Sequence, residues 1–364
     1  MVKLAVATPL IDRLRPATGA RAPIGFVRPP DSRETVGVLR VRILFNPRAG
    51  GLRGARRAAE LARELRERGA SCDEGRPTDE AGFAWIRPGE QDVVVVLGGD
   101  GTFHDALNRI DPAALESLSV AFLGLGTVNV LSLAADLPRD PAGLARLIVG
   151  GHSVRVPVAS VGGRRFLLFL EAGFGADAVV RANRWAEHAI GRWLLAGGLL
   201  RRPRKKLLIG LAGLVSALAA WGRPLRIEGV DELSGVRAAD VLLTRVREYG
   251  GRLFLPTRVG LDEPAFELLA FTSRWPLTHL LAFFMLATGT VERHAGLLER
   301  LGLLRRARAR TARITGTEGV SVFADAETLR AGSEVVCGFE PARSIRLVVP
   351  PGWKPHREPQ MRSK

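Results

Sequence analysis

Residues 92–108 read DVVVVLGGDGTFHDALN: an apolar run from Val93 to Leu97, the turn Gly98-Gly99-Asp100-Gly101-Thr102, then a tail with helical spacing. A continuous aliphatic run of this length predicts a strand covered on both faces. The turn holds three glycines around a carboxylate, more than a change of direction requires. Glycine allows backbone to approach a ligand closely, so the turn predicts a binding site at the carboxyl end of the strand.

The flanking sequence repeats the pattern. VRILF (41–45) is a short apolar strand, and RGARRAAELARELRERG (53–69) has alanine and leucine at helical spacing. TFHDALNRI (102–110) predicts a helix stopped by Asp111-Pro112, SVAFL (119–123) another strand, and a short helix follows before Pro138. Strand–helix alternation argues for a parallel α/β sheet, in which ligands bind beyond the carboxyl ends of the strands. Three loops fall there: Asn46-Pro47-Arg48-Ala49-Gly50-Gly51, the 98–102 turn, and Gly124-Leu125-Gly126-Thr127-Val128-Asn129. Gly98, Gly99, Gly101, Gly126 and Thr127 present backbone N–H groups suited to phosphate oxygens, and each following helix adds its positive end. Pro47 holds Asn46 extended, and Arg48 is a candidate phosphate clamp or equally a solvated surface residue.

Beyond residue 152 the segments VRVPVAS, RRFLLFLEAGFGA, PLRIEGV, VRAADVLLTRV, AFELLAFT, VSVFAD, EVVCGF and SIRLVVP read as strands, with helical stretches near 178–221 and 274–303. The expected fold is an α/β N-terminal domain with a parallel sheet, followed by a mainly antiparallel β-sandwich domain. The expected division is a poorly ordered extension (1–38), a nucleotide-binding domain (39–150, completed by 340–353), a lipid-binding sandwich (151–339) and a basic tail (354–364).

The chain of 364 residues carries a net charge of +16, almost wholly from arginine. This favours polyanionic partners: nucleotide phosphates or an anionic membrane surface. Specific nucleic-acid binding is not expected, because no recognition motif occurs and a single tyrosine offers few stacking platforms. Cys72 and Cys337 lie in no redox or metal spacing, and the six histidines never pair at ligand spacing. No secretory signal is evident, so a cytoplasmic location is expected.

Neither GxxxxGK[ST] nor GxGxxG occurs in the 98–102 or 124–129 loops. Thr102 with Asp105 spells a T-x-x-D capping box and could simply start a helix. Asp100 is harder to explain that way, since an acidic residue between turn glycines has no structural duty that Asn or Ser could not perform.

The ordered set NPRAGG, VVVVLGGDGT and GLGTVNVLSLAADLP resembles the diacylglycerol kinase catalytic-domain family, which includes sphingosine kinases and bacterial lipid kinases. AGFGADAVV (172–180), REYGGRLFLPTRVGLDE (247–263) and SVFADAETL (321–329) extend the resemblance over about residues 40–350. GGDGT alone is shared with phosphofructokinases and NAD kinases. The resemblance implies ATP-dependent phosphorylation of a lipid hydroxyl, with Mg²⁺, in a cleft between the two domains, at the inner face of the membrane. It places Asn46, Asp100, Gly101, Thr102 and Asn129 on the nucleotide phosphates. It makes Asp325 the general base, with Glu327 beside it on the metal and nucleotide side, and Asp262 a structural metal ligand.

Three departures stand out. The family's DGE is Asp325-Ala326-Glu327 here, GTxND is GTVNV with Val130, and the usual glutamate three residues after the GGDGT threonine is Asp105. If the replaced glycine needs positive φ, Ala326 strains the turn. RRPRKKLLIGLAGLVSALAAW (201–221) and RWPLTHLLAFFMLATGTV (274–291) are short for spanning a bilayer, and read as interfacial helices or as interior packing. A silent nucleotide or lipid sensor is the alternative function. An NAD kinase is a weaker one, since no Asn-Glu dipeptide is present for the ribose.

Overall fold

The computed structural model describes residues 37–50, 53–187, 201–219, 223–250, 253–272, 276–317 and 319–356. The extension expected over 1–38 lies outside these except for Gly37 and Val38, as does the basic tail beyond His356.

The valine run forms β4 (Val93–Gly98) and is buried along its whole length. Val94, Val95, Val96 and Leu97 are fully shielded, each worth about 1.5–3 kcal/mol relative to exposure. Parallel neighbours flank it, β1 (Arg40–Phe45) on one side and β5 (Ser119–Gly124) on the other. The short strands β2 (Ser71–Cys72) and β3 (Arg76–Pro77) pair with β1, also parallel. Helix α1 (Gly54–Glu67) packs Ala58, Leu61, Ala62 and Leu65 inward. Next come α2 (Glu80–Ala84), α3 (Asp100–Arg109), α4 (Pro112–Ser117), α5 (Val130–Ala134) and α6 (Pro141–Val149). Asp111 and Asp140 cap α4 and α6 ahead of a proline at the first helical turn.

The second half is antiparallel. Its strands are β6 (Ser153–Val161), β7 (Arg164–Phe166), β8 (Phe169–Gly173), β9 (Leu225–Glu228), β10 (Arg237–Thr244), β11 (Glu248–Tyr249), β12 (Leu253–Phe254), β13 (Phe266–Thr272), β14 (Leu304–Ala309), β15 (Thr311–Thr315), β16 (Val320–Ala324), β17 (Glu327–Ala331) and β18 (Glu334–Val348). RRFLLFLEAGFGA is not one strand. It breaks at Leu167-Leu168, and its glycine-rich end opens α7 (Phe174–Glu187). The helical stretches hold α8 (Arg201–Ala219), α9 (Pro276–Thr288) and α10 (Val291–Arg300).

The long strand β18 joins the halves. Its first part pairs antiparallel with β15 and β6, a bulge separates Phe339 from Ser344, and Arg346 and Leu347 then run parallel to Ser119 and Val120 of β5. The parallel sheet therefore continues into the antiparallel one, and the carboxyl ends of β1, β4 and β5 face the second half.

Among the described residues no helix is long and apolar enough to cross a membrane. The two apolar segments divide by face. Ala212, Ser216 and Ala217 of α8 and His279, Ala282 and Leu286 of α9 are buried, whereas Leu211, Val215, Leu218, Leu281 and Phe284 are exposed.

Candidate functional site

The three strand-end loops meet through their glycines. A Cβ on Gly98 would stand 2.3 Å from Thr102 Oγ1, and one on Gly126 would stand 2.8 Å from the Gly99 Cα. Gly98 leaves room for the Thr102 side chain of its own turn, and Gly126 is needed because the 98–102 and 124–129 backbones touch each other. Gly101 differs: a Cβ there meets only the Ala326 methyl, at 3.4 Å, so the second half's Asp325-Ala326-Glu327 turn lies directly against the GGDGT turn.

Helix α3 starts at Asp100 with Gly99 as its N-cap residue. Thr102 is therefore inside the helix, and no Thr102–Asp105 capping box forms. Instead Thr102 is buried and accepts from Asn46 Nδ2 at 3.1 Å, while Asn46 Oδ1 accepts from the Arg48 backbone N–H at 2.9 Å. Asp105 pairs with Arg109 one turn on, at 3.0 Å. Arg48 is exposed.

Asp100 has a structural duty that the sequence reading denied it. Its Oδ2 accepts from the Val130 N–H at 2.9 Å and its Oδ1 from the Leu131 N–H at 3.2 Å. The carboxylate thus caps α5 from another helix, and needs two acceptor oxygens to do so. Asn or Ser would offer one side-chain acceptor oxygen. Burial raises the Asp100 pKa above the usual carboxylate range; the two N–H donors oppose this and the nearby Asp325 charge adds to it. Asn129 turns inward on its own loop, its Oδ1 accepting from Gly126 N and its Nδ2 donating to Gly126 O, with φ at 55°. Gly126 and Thr127 are exposed.

Asp325 and Ala326 are the two turn residues of the β16–β17 hairpin, which closes at the Ala324–Glu327 pair. The positive φ falls on Asp325, at 50°, and not on Ala326. Alanine in place of the family's glycine therefore costs no left-handed strain. Asp325 is held there by its side chain: Oδ2 accepts from Leu167 N at 2.7 Å, and Oδ1 from Leu168 N at 2.8 Å and Phe169 N at 3.0 Å. A carboxylate has about four lone-pair positions, so one on Oδ2 is left.

That oxygen lies 3.7 Å from Nδ1 of His104, whose Nε2 is 2.9 Å from Glu327 Oε2. Arg164 reaches the same Glu327 oxygen through Nε at 3.1 Å and a terminal nitrogen at 2.7 Å. His104 is 3% exposed. Burial works against a charged imidazole, but Asp325 and Glu327 outweigh it and hold the His104 pKa above its ordinary value. Burial likewise works against the Glu327 charge, yet Arg164 and His104 prevail and keep it below the usual carboxylate range.

Sequence reasoning missed His104, Arg164 and Arg245. A signal for the first was available: Asp100, His104 and Asn108 recur every four residues, which places one polar stripe on α3. Asn108 completes that stripe by bonding the backbone of Arg165, through Nδ2 and Oδ1, at 2.9 and 2.8 Å. Arg245 lies buried beneath the Asp325 cradle and donates to the carbonyls of Pro157, Leu167 and Leu261. Burial pushes its pKa down to about 9, against the opposing charges of Asp325, Asp262 and Glu263.

Asp262 lies in the turn beside Gly260 and Pro355, near Arg245. Among the described residues no three His, Cys, Asp or Glu side chains gather as a metal site. A Mg²⁺ ion carried by a nucleotide asks for less, one or two carboxylates besides the phosphates. Glu327 suits that need through Oε1, because its bonds described above all fall on Oε2, and Asp100 through the lone pair each oxygen keeps beside its N–H bond.

Residues 40–161 match the family model described as diacylglycerol kinase catalytic domain. A Staphylococcus aureus diacylglycerol kinase is 27% identical over 220 residues, 59% of this chain and 58% of the relative. A diacylglycerol kinase from Staphylococcus saprophyticus is 30% identical over 139 residues, 37% of this chain and 45% of the relative. The chain thus spans about half the length of the curated relatives it matches. A crystal structure of a provisionally assigned diacylglycerol kinase from Bacillus anthracis shares the fold, with a TM-score of 0.65 and 19% identity, over 88% of this chain and 98% of the other.

Proposed function

We propose that this chain, whose residues 40–161 belong to the diacylglycerol kinase catalytic-domain family, is an ATP-dependent lipid kinase acting at the inner face of a membrane. The observation that carries this reading is the closeness of Gly101 to Ala326, with room for one Cβ between them, which sets the glycine turn against the Asp325 hairpin. A phosphate site and a candidate base from opposite halves of the chain then share one cleft.

The nucleotide phosphates would lie over Gly99, Asp100, Gly101 and Thr102 at the start of α3, where the first N–H groups and the helix dipole favour negative charge, although the Thr102 N–H itself bonds the Gly99 carbonyl at 2.9 Å. Exposed Gly126 and Thr127 border the same place, and Arg48 is free to swing toward it. Mg²⁺, held by Asp100 and Glu327, would neutralise phosphate charge. Phosphoryl transfer depends mainly on such positioning and charge neutralisation.

The acceptor is a lipid hydroxyl. Its oxygen bonds to the γ-phosphorus, its proton goes to the remaining position on Asp325 Oδ2, and the bond to ADP breaks. General-base assistance of this kind contributes on the order of 10²- to 10⁴-fold. Three backbone donors fix the Asp325 carboxylate, and His104 with Arg164 fixes Glu327 next to it. The acceptor class is diacylglycerol-like or sphingoid-like.

Incubation with radiolabelled ATP and total membrane lipid extract tests the reading. Labelled lipid that disappears in Asp325→Asn, with nucleotide binding retained, is the expected result. Nucleotide binding with no transfer to any lipid would overturn it in favour of a silent sensor, and label on NAD in favour of an NAD kinase.

A further inference from the structure

Helices α8 and α9 lie side by side at the surface of the second half. Gly213 brings the α8 backbone against the Phe283 ring, so that a Cβ there would stand 2.4 Å from a ring carbon. His279 Nδ1 is 3.1 Å from the Ala217 carbonyl across the same seam. Both helices are thereby fixed in place, and the side chains they leave outside are large and apolar.

Those side chains are Leu211, Val215 and Leu218 on α8, with exposures of 48%, 39% and 49%, and Leu281 and Phe284 on α9, at 41% and 55%. The first three follow one another at spacings of four and three, a single stripe along the helix. Single exposed apolar residues are ordinary, but a cluster on adjacent helices marks an interaction surface. The sequence places no charged residue within 207–219 or 276–288.

Charge identifies the partner. From His188 to Ile227 the sequence holds eight arginines and lysines and no aspartate or glutamate, with Arg201, Arg202, Arg204, Lys205 and Lys206 leading into the apolar stripe on α8 itself. An apolar helical face adjoining a basic run is the composition that settles in the headgroup region of an anionic bilayer. A protein partner would need acidic and apolar groups alternating to match, whereas an anionic leaflet supplies both at any register. The layer also connects with the cleft, since α7 packs on α8 and on the β16–β17 hairpin that carries Asp325.

We propose that the outer face of α8 and α9 is a membrane-docking surface for an anionic leaflet, which lays the Asp325 side of the cleft near the bilayer. It rests on the lipid-kinase reading only for its purpose, not for its physics.

Co-sedimentation with vesicles of phosphatidylserine and phosphatidylcholine, without nucleotide, tests it. Neither lipid carries a free hydroxyl acceptor, so binding is read separately from any kinase activity. Wild-type protein should bind these vesicles, bind pure phosphatidylcholine more weakly, and release as salt rises. Leu218→Ser with Phe284→Ser should bind at least tenfold more weakly, with an unchanged thermal midpoint because both positions are exposed. Leu211→Ser with Leu281→Ser serves as an independent second pair. Unchanged vesicle binding in both pairs would overturn the proposal. So would a dimer, seen by sedimentation velocity, that the substitutions dissociate while vesicle binding persists, since the face would then belong to a second copy. A kinase assay in detergent-dispersed lipid stands apart: its failure would sink the kinase reading and leave the surface untouched.

Discussion

Nε2 of His104, on the helix that begins the GGDGT site, lies 2.9 Å from Oε2 of Glu327, which is more than two hundred residues away and on the other half of the molecule. With Asp325 3.7 Å from its second nitrogen, this histidine stands between two carboxylates. Its Nε2 bonds Glu327, while Asp325 lies beyond hydrogen-bond range of Nδ1 and acts on the ring through its charge.

The pH consequence follows from the two shifts. The His104 pKa is raised, so its stabilisation is complete below the unfolded value of 6.5 and is lost as pH rises through the folded value. The Glu327 pKa is lowered, so its part is present above 4.5 and is lost as pH falls through its folded value. Both contributions are therefore complete together between pH 4.5 and 6.5, and each fades toward its own folded value. His104→Gln should lower stability by about 1–3 kcal/mol inside that window and should flatten the alkaline fall in thermal midpoint. A midpoint profile in which wild type and variant run parallel above pH 6.5 would remove His104 from this role.

Gly101 separates ligand approach from packing. A methyl group at Gly98 or Gly126 collides with Thr102 or with Gly99, but at Gly101 it meets the Ala326 methyl at an ordinary 3.4 Å. Gly101 is also a helical residue, where alanine is intrinsically favoured by about 0.5–1 kcal/mol. Gly101→Ala should therefore keep or slightly raise the melting temperature while weakening ATP binding at least tenfold by calorimetry. Gly98→Ala and Gly126→Ala should lose both together.

The fold was legible where the pattern was local. The valine run and its turn announced a buried parallel strand, and β1, α1, β4 and β5 lie where alternation put them. The site was legible as three loops at one sheet edge. What the chain could not display was the mate of each group. Asp100 looked free of structural duty because its two acceptors serve N–H groups thirty residues on. Asp325 was legible as a base with Glu327 beside it, but not its cradle, which is the backbone of Leu167, Leu168 and Phe169. His104 read as an ordinary residue of a short helix because its partners come from another half of the molecule. Hydrogen bonds to backbone leave no residue signature, and long-range ion pairs leave one only as spacing on a helix face.

A second buried acidic group lies under α7. Asp240 pairs with Gly173 across the β8–β10 ladder, and Leu242 with Glu171, which puts Asp240 and Glu171 diagonal on one face. Both are nearly inaccessible. Glu171 Oε2 accepts from the Tyr249 hydroxyl at 2.7 Å, and Asp240 Oδ1 from Gly175 N at 3.2 Å. Burial first, and the Glu171 charge second, push the Asp240 pKa well above the carboxylate range, so Asp240 carries the proton. Its neutral form is favoured on folding, and stability therefore falls as pH rises from the unfolded value of 3.8 toward the folded one. Asp240→Asn keeps a donor for Glu171 and an acceptor for Gly175 without a titratable proton. Relative to wild type it should gain stability between pH 4 and 7, about 1 kcal/mol or more. Chemical denaturation at the two pH values measures this, and a variant equally destabilised at both would show that Asp240 is charged in the fold.

The C-terminal segment ties the two halves together by the same chemistry that joins His104 to its carboxylates. Trp353 donates from Nε1 to the Ala134 carbonyl at 3.1 Å, at the end of α5. Three residues later His356 sits between Glu248 Oε1, 2.7 Å from Nδ1, and Asp136 Oδ2, 3.1 Å from Nε2. Asp136 belongs to the turn after α5, at a positive φ of 51°, and Glu248 to β11 in the second half, so the ring bridges them. Burial works against its charge, but Glu248 and Asp136 prevail and raise the His356 pKa above 6.5. The bridge is therefore complete below that value and loses one of its two bonds as pH rises through the folded value. His356 is partly exposed, which limits the effect on global stability, so a local readout is the sensitive one. Hydrogen exchange of the peptide covering residues 345–356, corrected for intrinsic rates, should lose protection across that rise in wild type. His356→Gln, which cannot donate from two separate nitrogens, should already show the lower protection at acid pH and no step. A wild-type step that survives in His356→Gln would assign the titration to another group and leave the segment held by Trp353 alone.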